Sequence, residues 1–142
     1  MTSVTALSTE LESRVHLQRT EEEFTAEEYV ALIEHAIRRL FVDTGRALLF
    51  DNYEFTDDGT TITFSYDMKV DEEEYVLLCA EMAFLKIIQK DVNVITSYTT
   101  NAISVTGADK PYAHLADSID KLENDRRELL YRMIRYMVGV SY

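Results

Sequence analysis

Acidic side chains at helical spacing come nearest to a catalytic pattern in this sequence. The pairs are Asp71 with Glu74, Asp117 with Asp120, and Asp120 with Glu123. Residues three apart share one face of a helix, and carboxylates on facing helices are ligands that Mg²⁺ accepts. Helix capping already explains the first pair, however, and the others lie beside the apolar seam of their helix rather than on it. Magnesium-dependent chemistry is therefore a minor hypothesis.

The remaining candidates for catalysis are scattered. The histidines are His16, His35 and His114, and no two of them have the four-residue spacing of a helical zinc site. The four glycines are isolated, so the sequence has no Gly-rich phosphate-binding loop. Cys79 falls in the apolar face of a predicted helix and is interpreted as a small core residue rather than a nucleophile. The sequence predicts no catalytic residue, no metal site and no cofactor.

Arginines and tyrosines are concentrated at the end of the last predicted helix. These two residue types most often anchor protein interfaces, and they also pair with phosphate and stack on bases. A simpler interpretation is that the arginines complement the helix dipole while the tyrosines pack on the body. We interpret the cluster as a contact with another subunit or a partner, made by Arg126, Arg127, Tyr131, Arg132, Arg135 and Tyr136.

The composition is that of an acidic chain with enough apolar residues for one core. Its 142 residues are 46% hydrophobic, with four glycines and one proline, and the net charge is −12. Nucleic-acid binding needs an excess of lysine and arginine, so this charge argues against general affinity for DNA. The simplest explanation of the negative charge is solubility. Alternatively, the acidic surface lets DNA pass without binding, or it mimics DNA. The single cysteine favours a reducing compartment, and no apolar run approaches the ~18 residues of a membrane span.

Helical periodicity and capping signals predict three helices, at about residues 25–45, 71–91 and 111–138. A capping box of Thr25 and Glu28 begins the first helix, and Gly45 ends it. A similar signal, Asp71 followed by Glu74, begins the second, with Val70 and Tyr75 placed as a hydrophobic staple.

The third predicted helix begins at Pro111 and spans roughly 42 Å, which is as long as a compact chain of this size is wide. Its apolar residues recur at helical period, with Arg126 standing where one more apolar residue is expected. The seam consists of Leu115, Ile119, Leu122, Leu129, Met133 and Met137.

Two further stretches indicate β-structure. Aromatic and polar residues alternate on both sides of Asp57-Asp58-Gly59, which predicts a hairpin over about 52–66 with its aromatic face against helices. Residues 92–106 are rich in β-branched side chains, which favours an extended segment. This segment either pairs with the chain's own hairpin or adds a strand to another subunit. In the second case the contact residues would be Ile103, Val105 and Thr106.

These elements predict a single domain over residues 1–142 that is mainly α with a small β component. It is a helical bundle with a β-hairpin and an extended segment. Residues 1–23 form an N-terminal arm or short helix, 24–139 the core, and 140–142 a C-terminal tail. The N-terminal stripe offers only Val4, Leu7, Leu11 and Val15 as anchors. We therefore expect a frayed or loosely docked terminus, or alternatively an arm that docks on a neighbouring molecule.

The order of these elements, together with one motif, resembles the head–tail connector (adaptor) proteins of tailed bacteriophages. In that family a strand of the type Ile-Ser-Val-x-Gly leads through a short loop into a helix that begins Tyr-x-x-Leu-Ala. The matching residues here are Ile103-Ser104-Val105, Gly107 and Tyr112-Ala113-His114-Leu115-Ala116. The resemblance covers about residues 25–138. The hairpin departs from it, because many such connectors are more purely helical.

The resemblance implies a structural virion protein and not an enzyme. Such a connector forms a homo-oligomeric ring of about a dozen copies beneath the portal protein. It extends the DNA channel and docks tail, tail-completion or stopper proteins. DNA passes through without sequence-specific binding, and no membrane is contacted. The implied location is the neck of the virion, and the host cytoplasm during assembly. Two other hypotheses remain: a small acidic binding or inhibitor protein of the DNA-mimic type, and a magnesium-dependent nucleotide pyrophosphohydrolase.

Overall fold

Four α-helices and a small antiparallel sheet make up the described part of the chain in a computed structural model. The structure describes residues 1–15, 24–99 and 109–138, without the side chains of 91–99, 109–114 and 136–138. The predicted fold class, mainly helical with a small β component, is confirmed. In chain order the elements are β1 (Thr2–Ser3), α1 (Val4–Val15), α2 (Ala26–Asp43), a 3₁₀ helix (Ala47–Asn52), β2 (Phe55–Asp57), β3 (Ile62–Phe64), α3 (Val70–Thr99) and α4 (Asp109–Val138).

α2 begins and ends where the sequence predicts. The Thr25 side chain accepts a hydrogen bond from the Glu28 N–H, which confirms the capping box. Phe24, just before the helix, packs on Tyr29 with ring centroids 5.9 Å apart, which is the contact of a hydrophobic staple. Gly45 follows the helix with a φ of +74°, a left-handed conformation that most side chains would strain. The local signals were therefore sufficient to place this helix.

The predicted hairpin is also confirmed, with β2 and β3 paired antiparallel around a turn at Asp58. The Asp58 carboxylate accepts hydrogen bonds from the N–H groups of Thr60 and Thr61 at 2.9 and 2.7 Å, and these bonds lower the pKa of its carboxyl group. The aromatic face lies against α2 as expected. There the ring of Phe41 meets the rings of Phe50, Tyr53, Phe64 and Tyr66.

Residues 1–15 are part of the core, so the expectation of a frayed or loosely docked terminus is wrong for them, whereas residues 16–23, the rest of that prediction, lie outside the described residues. β1 adds a third strand by pairing Thr2 with Phe64, and the Thr2 hydroxyl donates to the Tyr66 carbonyl at 2.7 Å. α1 packs against α2, α3 and β3. The sequence could not reveal this, because a short helix is stable only where a matching surface receives it. Its buried anchors are Val4, Leu7, Leu11 and Val15.

α3 continues to Thr99, so the predicted extended segment is wrong for residues 92–99. β-branched side chains cost a helix only a few tenths of a kcal/mol each. No glycine or proline interrupts the chain between 70 and 99, and α3 packs extensively against α4. The helix therefore continues through this stretch at a small cost per residue. Residues 100–106, the rest of that prediction, lie outside the described residues.

The predicted start of α3 is wrong in detail. α3 begins at Val70, and the Glu72 carboxylate accepts a hydrogen bond from the Lys69 N–H at 3.1 Å. Glu72 thus takes the capping role that was predicted for Glu74 after Asp71. Val70 is 83% exposed and forms no staple. A run of one aspartate and three glutamates offers several equivalent capping positions, which is why the sequence left the start ambiguous.

α3 runs antiparallel to α2. Phe24 packs on Phe84 at one end of the pair, with ring centroids 4.8 Å apart, and the Tyr75 hydroxyl donates to the Asp43 carboxylate at the other. The contacts between these helices therefore reverse in sequence order, and the C-terminal end of α2 lies beside the first turns of α3.

α4 runs antiparallel to α3 and hence in the same direction as α2. Tyr75 of α3 contacts Arg126 of α4. Helical rise places Tyr75 about 36 Å from Thr99, and Arg126 about 25 Å from Asp109. A parallel arrangement would separate Thr99 from Asp109 by about 60 Å, whereas the ten peptide units between them reach at most ~38 Å. The last turns of α4 therefore extend beyond the end of α2.

α4 agrees with the predicted helix 111–138 except that it begins two residues earlier, at Asp109, so Pro111 lies in its first turn. Proline is tolerated there because first-turn N–H groups have no acceptor within the helix. α3 and α4 each have 30 residues. No helix in the described part of the chain is long and apolar enough to cross a membrane.

Candidate functional site: a buried arginine and the exposed end of α4

Arg126 lies inside the bundle, where the apolar seam of α4 is interrupted. Its side chain is 15% exposed. Nη1 donates to Oδ2 of Asp43 at 3.2 Å and to the Tyr75 hydroxyl at 2.8 Å. Nη2 and Nε donate to the two carboxylate oxygens of Glu123 at 2.7 and 3.2 Å. This one arginine therefore connects α2, α3 and α4.

The network holds its members in defined protonation states. The hydrogen bonds from Arg126 lower the pKa of the Glu123 carboxyl group, and the same bonds raise the pKa of the Arg126 guanidinium. Burial raises the pKa of the Tyr75 hydroxyl, and its hydrogen bond to Asp43 raises it further. Tyr75 thus remains a neutral donor. The buried Asp43 carboxylate receives one neutral donor, Tyr75, and two charged donors, Arg126 and the exposed Arg39 of its own helix, which satisfy it as a structural group.

A groove of about 440 Å³ opens beside this network, between α2, α3 and α4. Leu32 and Met82 contribute apolar lining, and Lys86 and His35 are exposed at it. Cys79 also lines the groove and packs against the core. Burial raises the pKa of its thiol to about 11. The thiol is therefore protonated and weakly nucleophilic at neutral pH, in agreement with the core interpretation.

A second buried charged pair joins the chain after α2 to the start of α3. Glu72 is 6% exposed, and it accepts hydrogen bonds from Nη2 of Arg46 at 2.7 Å and from the Tyr66 hydroxyl at 3.0 Å. The Arg46 guanidinium lies 5.0 Å from the centre of the Phe41 ring. Sequence reasoning missed this pair, because no spacing rule links residues that different elements bring together. Since all its members are paired, it reads as structural.

The carboxylates considered for magnesium do not converge. Glu74 accepts two hydrogen bonds, of 3.0 and 2.7 Å, from Arg14 of α1. Glu123 belongs to the arginine network, and Asp117 and Asp120 are exposed on α4. Among the side chains that the structure describes, no group of three or more His, Cys, Asp or Glu could hold a metal ion.

The residues predicted to contact a partner fall into three groups. Arg126 is turned inward and contacts its own chain. Exposed on the outer face of α4 are Arg127, Tyr131, Arg132 and Arg135. Predicted contacts whose side chains lie outside the described residues are Ile103, Val105, Thr106 and Tyr136.

The exposed end of α4 combines aromatic, aliphatic and cationic side chains. Tyr131 is 72% exposed, Ile134 39% and the Arg127 side chain 66%. Their spacings of four and three residues place them on one helical face, away from the buried seam. Sequence reasoning missed Ile134. Its exposure can be recognised only when the structure shows which face of α4 is buried. We define the α4 tip as Arg127, Tyr131, Arg132, Ile134 and Arg135.

Comparisons with family models, with curated proteins and with solved structures found no match to this chain. A functional proposal therefore depends on the geometry of the chain itself and on the motif resemblance described above.

Proposed function

We propose that this protein is a structural virion protein, a head–tail connector (adaptor) that forms a ring beneath the portal. In that position it extends the DNA channel and docks tail or stopper proteins. The proposal combines the motif resemblance with one structural observation. That observation is the exposed α4 tip at the end of the bundle.

The α4 tip has the composition of a protein interface. Tyrosine and arginine dominate interface hot spots, because each combines a large contact area with hydrogen-bonding groups. Tyr131 and Ile134 are exposed on the same face as Arg127, and together they supply an apolar centre with a cationic edge. Arg126 holds this part of α4 against α2 and α3, so the contact face is presented on a fixed helix.

The charge distribution also supports a conduit role. Residues 126–138 contain four arginines and one glutamate, in a chain with a net charge of −12. Three of these arginines are exposed and give the α4 tip a local positive charge, and the remaining chain is strongly acidic. An acidic channel wall repels phosphate and lets DNA slide past without being gripped.

Mass measurement by light scattering tests the proposal. The protein is measured alone and together with the portal protein encoded in the same gene cluster, and we expect a closed ring of defined mass on the portal. Tyr131→Ala should reduce the bound fraction. Lys121→Ala, an exposed position on α4 outside the tip, should leave it unchanged. A protein that stays monomeric with and without the portal, or a gene cluster without portal or capsid genes, would contradict the proposal.

A further inference from the structure

We propose that the α4 tip of one copy binds an acidic groove on the next copy, at the opposite end of α2. The inference rests on the proposed function, because it names the contact between neighbouring copies in the assembly. It is supported by two surfaces of complementary charge that lie too far apart to contact each other within one molecule.

The acidic groove lies between the start of α2 and the turn of the hairpin, and its volume is about 300 Å³. Half-buried Val30 and Ile62 provide apolar lining, and exposed Glu27 and Asp57 provide carboxylates. Its lining residues, all within the described part of the chain, include no lysine or arginine. The groove therefore offers an apolar surface with acceptors for cations.

The carboxylates at this groove can accept further hydrogen bonds. Oδ1 of Asp57 accepts the Gly59 N–H at 2.9 Å, which leaves Oδ2 available for an arginine. The adjacent Asp58 carboxylate accepts backbone N–H groups of its turn, and the lowered pKa of its carboxyl group keeps it charged. Glu27 lies in the first turn of α2. Two carboxylates, those of Glu27 and Asp57, thus line the groove, and Asp58 is the next residue in the same turn.

The α4 tip complements this groove in charge and shares its apolar character. The groove can accommodate the exposed Tyr131 ring on its apolar lining, with Ile134 beside it. Arg127 and Arg132 would then face the carboxylates, where a guanidinium forms charge-assisted hydrogen bonds with fixed geometry. An aromatic anchor with flanking arginine–carboxylate pairs is the usual arrangement of an interface hot spot.

The two surfaces lie too far apart to meet within one molecule. α2 has 18 residues from Ala26 to Asp43 and is about 27 Å long. The acidic groove is at the first turn of α2, whereas Arg126 of α4 contacts Asp43, the last residue of α2. α4 runs in the same direction as α2, so the tip lies beyond that end. The occupant of the groove is therefore a second copy.

A contact between different surfaces of identical chains is heterologous. In any open assembly, the copy at one end has an unoccupied groove and the copy at the other end has an unoccupied tip. The contact therefore repeats until a ring closes or a filament grows. This property separates it from a symmetric contact between two α4 tips, which would stop at a dimer.

The test uses two complementary variants of the full chain. The tip variant is Tyr131→Ala with Arg132→Glu, and the groove variant is Glu27→Arg with Asp57→Arg. A milder groove variant, Glu27→Arg alone, keeps the Asp57 bond to the hairpin turn intact. Matched controls lie at exposed positions outside both surfaces: Lys121→Glu has the charge change of the tip variant, and Glu54→Arg has that of the milder groove variant. Circular dichroism and thermal unfolding establish that each variant folds.

Sedimentation velocity over a concentration series should show the wild type and both controls assembling. Each variant alone should remain monomeric, with self-association weakened by about tenfold or more. An equimolar mixture of tip and groove variants should form a one-to-one heterodimer and nothing larger, because one intact contact remains. The inference is overturned by a wild type that is monomeric at every concentration, by variants that assemble like the wild type, or by loss of assembly in the tip variant only.

The failure of this inference is distinguishable from the failure of the proposed function. If both variants still form rings on the portal protein, the tip-to-groove contact is refuted while the connector role stands. If the wild type assembles through tip and groove but never binds the portal, the connector role is refuted while the contact stands.

Discussion

Nη1 of Arg126 and Oδ2 of Asp43 are 3.2 Å apart, although the two residues are separated by 83 positions in the sequence. Their side chains are 15% and 11% exposed. Attraction within such a pair is largely offset by the cost of removing both ions from water, whereas loss of one partner leaves an uncompensated buried charge. The pair also holds α4 beside the C-terminal end of α2. This contact determines the position of the α4 tip relative to the rest of the bundle.

Replacing Arg126 with methionine should lower the free energy of unfolding by about 3 kcal/mol, because Glu123 loses its buried partner and Asp43 keeps its buried charge with only the exposed Arg39 as a cation. Urea denaturation measures this change. The matched control is Arg127→Met, whose side chain is 66% exposed and pairs with the same Glu123. Its loss should stay below about 1 kcal/mol. Equal losses in the two variants would contradict the assignment of Arg126 as a buried structural cation. Adding Asp43→Asn to Arg126→Met should restore part of the stability.

Leu11→Ala should lower the free energy of unfolding by about 3 kcal/mol, since Leu11 is fully buried between α1 and the rest of the core. Thr9→Ala, at an exposed position of the same helix, should change it by no more than about 0.5 kcal/mol. Chemical denaturation of the two variants under identical conditions provides the comparison. A small effect at Leu11 would indicate that α1 is only loosely attached in solution.

Asn93→Pro should reduce both helical content and stability, by about 3 kcal/mol, because proline inside a helix removes one hydrogen bond and clashes with the preceding turn. Far-UV circular dichroism and urea denaturation report these two quantities. Lys110→Pro is the control, since it lies in the first turn of α4, where the N–H has no acceptor within the helix. Tolerance of proline at position 93 would favour the extended segment that the sequence suggested.

Cys79 should make the protein less stable at alkaline pH. Burial raises the pKa of its thiol from 9.0 to about 11, so the unfolded chain ionises first as the pH rises. The contribution of the neutral thiol to the free energy of unfolding is complete below pH 9. It decreases between pH 9 and about 11, and the total loss is at most about 3 kcal/mol. Cys79→Ala should flatten the stability curve in this interval when unfolding is measured in urea at successive pH values. The same slope in both proteins would show that the thiol is not buried in solution.

Much of the fold follows from local sequence. The start of α2, its end at Gly45 and the turn at Asp58 were all predicted correctly, because the hydrogen bonds that define them join residues no more than five positions apart. The apolar seam of α4 was also predicted, since helical period alone determines which residues share a face. Even the break in that seam at Arg126 was visible, although its partners were not.

Other features were decided by tertiary structure. The β-branched residues 92–99 favour a strand in isolation, yet they continue α3, whose earlier turns are buried in the core. The stripe of α1 has too few anchors to hold a free helix, and only the surface formed by α2, α3 and the sheet makes it part of the core. For α1 the deciding energy comes from burial against distant segments, which no local pattern contains.

The candidate site divides in the same way. The residue types at the end of α4 pointed to a contact surface, but they did not separate Arg126, which is buried, from Arg127, which is exposed. That distinction depends on Asp43 and Tyr75, two residues on other helices that become neighbours only in the folded chain. Composition and period thus established a helical, acidic protein with an arginine-rich end, whereas the packing of three helices determined which arginine supports the fold and which ones face outward.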